Sequence, residues 1–95
     1  MARDSRGYLV PDDVIAAQLE GEAVLLHLRT RAYFRLNSSA TAIWQGLERG
    51  MDRSALLDDL CSRYDIERDA ASSDLDRVLD DLSRRGLIES AVDPS

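Results

Sequence analysis

The stretch Ala32-Tyr33-Phe34-Arg35-Leu36-Asn37-Ser38-Ser39-Ala40-Thr41-Ala42-Ile43-Trp44-Gln45-Gly46-Leu47 decides the fold. Its hydrophobic period changes once, at Asn37. Before that point Phe34 and Leu36 point one way with small Ala32, and Tyr33 and Arg35 point the other, as in a half-buried strand. After it, Ala40, Ile43, Trp44 and Leu47 recur at helical spacing. Asn37 or Ser38 serves as N-cap, and Gly50 closes the helix as a C-terminal glycine does. Phe34 and Trp44 are each in phase with the core face of their element, which predicts a structural role for both.

Working towards the N-terminus, Ala23 to Arg29 reads as a second strand, joined to the strand at Ala32 to Leu36 by a tight connection at Thr30-Arg31. Val14 to Glu20 reads as the first strand, with a turn at Glu20-Gly21-Glu22. Towards the C-terminus, Asp52 caps a second helix whose apolar stripe is Leu56, Leu57, Leu60, Cys61 and Tyr64. A short link, Asp65 to Arg68, carries Ile66 as a core plug. The third helix starts near Asp69, carries Ala71, Leu75, Val78, Leu79 and Leu82, and ends at Gly86. Leu87-Ile88-Glu89 can add a short extended piece. The expected organisation is a flexible N-terminal arm over 1–12, in which Tyr8 to Pro11 could dock as a clip, one domain over 13–89, and a C-terminal tail over 90–95. The fold class is α+β, a winged-helix-like domain with a three-stranded antiparallel sheet followed by three helices.

Composition narrows the function. The chain has 95 residues, 12 basic and 18 acidic, for a formal charge of −6. That length holds one small core. Acidity disfavours duplex DNA, because phosphate neutralisation supplies most non-specific affinity. No apolar run spans a bilayer and none follows the N-terminus as in a signal peptide, so the expected location is the cytoplasm and no membrane partner is expected. A zinc site needs about four ligands, usually Cys and His; this chain offers one of each, His27 and Cys61. His27 reads as a strand histidine on the less buried face, and Cys61 as a packing residue. The glycines are scattered and form no phosphate loop. No metal, no cofactor and no catalytic residue is expected.

Tyr33-Phe34-Arg35-Leu36-Asn37, Ala40-Thr41-Ala42-Ile43-Trp44 and Leu47 to Gly50 together resemble the middle of PqqD-like proteins. Leu57-Asp58-Asp59-Leu60, Tyr64-Asp65-Ile66, Asp74-Leu75, Val78-Leu79, Leu82 and Gly86-Leu87-Ile88 extend the resemblance over about residues 10 to 89. These are the recognition elements of ribosomally made, modified peptides. The resemblance implies a non-catalytic protein that binds the leader segment of a precursor peptide. The leader would add as a strand beside the third strand and lie against the third helix. It would then be delivered to a modifying enzyme, either a leader protease of a lasso-peptide pathway or a radical-SAM enzyme, as in pyrroloquinoline quinone synthesis. The run from Leu25 to Asn37 is similar to the lasso-pathway proteins somewhat more. The turn at Thr30-Arg31-Ala32 lacks the glycine of many relatives.

The residues themselves bear on this. A third strand at the end of a meander is an edge, and strand addition needs open backbone donors and acceptors. Ala32, Tyr33, Phe34, Arg35 and Leu36 contain no proline, and Arg31 and Arg35 suit an edge that stays soluble yet pairs. On the third helix Leu75, Leu79, Leu82 and Gly86 share the core side. Asp74, Val78, Asp81 and Arg85 form the neighbouring stripe. The candidate peptide site is therefore Arg31 to Leu36 with Asp74, Val78, Asp81, Leu82 and Arg85, acidic on the helix wall and basic on the strand wall. A winged-helix DNA binder would want a basic recognition helix; this one has five Asp against three Arg between Asp69 and Arg85. A small enzyme would want clustered acid, base or metal ligands, which the sequence does not place together.

Overall fold

The computed structural model describes residues 7–90. A two-residue turn organises its sheet. Glu20 and Gly21 both take positive φ, 52° and 85°, the geometry of a tight hairpin whose twist matches its strands. It joins β2 (Val14–Leu19) to β3 (Glu22–His27) in antiparallel register, Val14 opposite His27 and Leu19 opposite Glu22. β4 (Tyr33–Arg35) pairs with the other side of β3, Phe34 opposite Leu25. The sheet order β2-β3-β4 is that of a meander, as the sequence predicts. β1 (Tyr8–Leu9) lies outside it.

The connection from β3 to β4 replaces the missing glycine with Arg31 itself, at φ 64°. The turn is pinned from both ends: His27 N–H donates to Ala32 O and Arg31 N–H to His27 O. Strand parity then corrects one expectation. Ala23, Leu25 and His27 share the inner face of β3, so His27 is buried, at 5% exposure, rather than on the less buried face. Val24, Leu26 and Leu28 masked this parity, because an unbroken apolar run carries no alternation to read.

Three helices follow: α1 (Ser38–Glu48), α2 (Arg53–Arg63) and α3 (Arg68–Arg84). The N-caps of α1 and α2 are those expected. Asn37 Oδ1 accepts from Ala40 N–H and Asp52 Oδ1 from Ala55 N–H, each at 2.9 Å. The helices and the inner sheet face enclose one core that includes Trp44, Ile43, Leu25, Leu56, Leu75 and Leu87. Trp44 is fully buried, whereas Phe34 is half-buried and Tyr64, expected in the apolar stripe of α2, is an exposed C-cap. Arg53 pins α2 to α3, donating from Nε to Asp76 and from Nη2 to Ser72.

The two ends of the described stretch meet. β1 pairs antiparallel with β5 (Glu89–Ser90), Tyr8 opposite Ser90 and Leu9 opposite Glu89. Tyr8 and Val10 pack against the core, so the segment expected as a flexible arm is tied to the body from Tyr8 onward, and Ser90 belongs to a strand rather than a tail. Residues 1–6 of that arm and 91–95 of the tail lie outside the described residues. No helix among the described residues is long and apolar enough to cross a membrane.

Candidate functional site

β4 is the sheet edge nearest α3, and its hydrogen bonds show which atoms it leaves open. Leu36 N–H donates to Ala23 O, and His27 N–H donates to Ala32 O. In an antiparallel ladder this parity turns residues 32, 34 and 36 towards β3. The N–H and C=O groups of Tyr33 and Arg35 therefore face outward and have no partner among the described residues. Their side chains lie on the outer sheet face, Tyr33 at 72% exposure.

Beside this edge runs a cleft of about 280 Å³ between β4 and the C-terminal half of α3. Tyr33, Phe34, Arg35 and Leu36 form one wall, and Asp81, Leu82, Arg85 and Leu87 the other. Leu82 and Leu87 are buried at its base, and Arg85 reaches over the Phe34 ring, 4.9 Å from Cζ to the centroid. Phe34 thus serves both core and cleft.

A second, mostly apolar pocket of about 260 Å³ lies against the first and middle turns of α3. Asn37, Ser39 and Ile43 of the strand-to-helix junction and α1, Leu60 and Tyr64 of α2, and Ile66 of the link face Ala71, Asp74, Arg77 and Val78 across it.

The predicted residues are thus divided between two depressions. Asp81, Leu82 and Arg85 stand against the strand as expected, whereas Asp74 and Val78 open onto the second pocket. Both sets lie on one stripe of α3, but that helix is 17 residues long and β4 only three. Ala32 is half-buried just before β4, and Arg31 is exposed in the turn and lines neither depression.

The expected contrast of an acidic and a basic wall is replaced by local pairing. Asp81 holds Arg85 at 3.1 Å, Asp74 holds Arg77 at 3.0 Å, and Glu22 holds Arg35 at 3.3 Å. Pairs three or four residues apart on a helix form without tertiary help.

Tyr64 and Ile66 are lining residues that the sequence assigns to packing alone, and Leu87 one that it places only in a short extended piece. An isoleucine inside the charged link Asp65 to Arg68 is the one signal that marked this corner. No group of three or more His, Cys, Asp or Glu among the described residues could hold a metal ion.

The family model described as coenzyme PQQ synthesis protein D (PqqD) matches residues 22–88, which run from β3 through the last turn of the core. The chain belongs to the PqqD family. This is a family of RiPP recognition elements, non-catalytic proteins that bind peptides. Two solved structures share the architecture of this PqqD-family domain. TbiB1, in complex with the TbiA(beta) leader peptide, is 34% identical, with a TM-score of 0.84 over 90% of this chain and 99% of that one. A lasso peptide synthetase B1, complexed with the leader peptide, is 28% identical, with a TM-score of 0.79 over 85% of this chain and 95% of that one. No curated protein sequence matches significantly.

Proposed function

We propose that this PqqD-family domain binds the leader segment of a ribosomally made precursor peptide, by strand addition at β4 and packing against α3. The observation that carries the reading is the open backbone of Tyr33 and Arg35 alongside the cleft floored by Leu82 and Leu87. Main-chain pairing supplies affinity with little demand on sequence, and side-chain pockets supply selectivity. The second pocket, with Val78, Ile43 and Ile66, is large enough for one apolar anchor of the leader. Residues 13–89 form the leader-binding unit, with the β1–β5 pair closing it.

The bound peptide is then delivered to a modifying enzyme. Both solved relatives are described as leader-peptide complexes and one as a lasso peptide synthetase component, which favours a leader protease of a lasso pathway as that enzyme. The description of the family model favours the second reading, service to a radical-SAM enzyme in coenzyme synthesis. Either role lies in the cytoplasm, where ribosomes release precursor peptides.

The test is titration of the isotope-labelled chain with synthetic leaders of the precursor peptides encoded beside its gene. Amide shifts are expected at residues 33–36 and along α3, and Val78→Asp is expected to weaken binding far more than Asp81→Asn. Shifts confined to α1 and α2, or unchanged affinity for Val78→Asp, would place the site elsewhere.

A further inference from the structure

Arg85 is held from both walls of the cleft. Its guanidinium lies over the ring of Phe34 on β4, and its Nε donates to Asp81 Oδ1 at 3.1 Å, one turn back on α3. A long side chain fixed by two contacts has little rotamer freedom left to lose when a ligand arrives. The other arginines of the two depressions differ. Arg35 and Arg77 are 79% and 76% exposed, and among the described residues each has one carboxylate partner and no ring beneath it; Arg85 is 47% exposed. Because Asp81 engages Nε alone, Nη1 and Nη2 of Arg85 have no partner among the described residues.

We propose that Arg85 is a carboxylate-binding subsite of the cleft, taking one Asp or Glu side chain of the peptide paired to β4. The inference rests on the strand-addition reading above. A strand added at the outward groups of Tyr33 and Arg35 runs beside the C-terminal half of α3. A side chain on that strand that turns towards the cleft meets Arg85. Net charge does not drive the selection, because Arg85 is already paired with Asp81 and sits at the negative end of a helix. The selecting element is the planar pair of open N–H donors, whose geometry matches a carboxylate and which a lysine cannot reproduce.

The test needs no knowledge of the natural leader. A random peptide library is selected against the full chain, and winning peptides are resynthesised with Glu→Gln or Asp→Asn at each acidic position. The expected result is an acidic residue at one fixed distance from an apolar anchor. Its amide version should bind the wild type about five- to tenfold more weakly. In Arg85→Lys and Arg85→Gln, each first shown by its melting curve to be folded, that ratio should fall to about twofold or less. The peptide-side comparison uses the wild type, so it stands even if a variant fails to fold. Winners without an acidic preference, or an unchanged ratio in both variants, would overturn the subsite. A library that yields no binder would sink the strand-addition reading itself, and the subsite with it.

Discussion

Gly46 and Thr41 decide how α1 sits, and neither stands out in the sequence. A Cβ on Gly46 would lie 2.5 Å from Leu56 Cδ2 and 2.8 Å from Met51 Sδ, so α1 meets α2 at a point with no space for a methyl group. Gly46→Ala gains about 1 kcal/mol of helix propensity. It forces buried Leu56 to move, and overpacking costs about 1–3 kcal/mol. The expected net effect is a loss of up to about 2 kcal/mol, read as a lower urea midpoint with unchanged slope; a variant more stable than wild type would show that the helices separate freely. Thr41 works on the other side of α1. Its Oγ1 accepts from the N–H of Ala23 at 2.9 Å and donates to Leu36 O at 3.2 Å, both buried. Thr41→Val keeps the shape and strands the Ala23 N–H. We expect a cost of about 1–3 kcal/mol in the same assay, largely restored in Thr41→Ser.

At the level of elements, the sequence was most legible where side-chain chemistry is local. Asn37 and Asp52 cap helices through their own oxygens, Glu20-Gly21 is a turn by its backbone alone, and the period change at Asn37 marks the passage from sheet to helix. It was least legible where partners are distant. Tyr8–Leu9 finds Glu89–Ser90 across nearly the whole chain, and strands of two residues have no period to detect. The site was half legible for the same reason. The stripe of α3 could be drawn on a helical wheel, but which part of it faces β4 depends on where that short strand stops. The position of β4 also yields a prediction that separates pairing from folding. Tyr33 and Arg35 turn their N–H groups outward, whereas Phe34 belongs to the ladder with β3. Proline removes a donor and is tolerated at an edge only where that donor is free. Tyr33→Pro and Arg35→Pro should therefore keep the fold, by circular dichroism, and lose leader binding. Phe34→Pro should unfold the sheet edge as well. Intact binding by both outward prolines would exclude main-chain pairing at β4.

The molecule as a whole carries a charge of −6, yet the arginines that line the two depressions are each matched by a neighbouring carboxylate. This arrangement sets how binding responds to salt. A protein that neutralises several phosphates loses about 10³–10⁵ in affinity between 50 and 200 mM salt, because condensed counterions return. A strand paired through its backbone, with one apolar side chain in a pocket and one carboxylate on Arg85, neutralises no row of phosphates and releases no such counterion atmosphere. The remaining contribution comes from exposed pairs, each worth about 0.2–1 kcal/mol and screened over a Debye length of about 10 Å at 0.1 M. In the proposed mode burial of the apolar anchor dominates, and salt does not weaken it. Leader affinity should accordingly fall by only about two- to fivefold over that salt range, most of it in the association rate. Five Asp against three Arg between Asp69 and Arg85 predict no measurable binding of duplex DNA under the same conditions. Both are read in one fluorescence-anisotropy series with labelled leader and labelled duplex. A hundredfold loss of leader affinity would mean that charge rather than strand pairing holds the peptide. Salt-sensitive retention of the duplex would favour the DNA-binding reading instead.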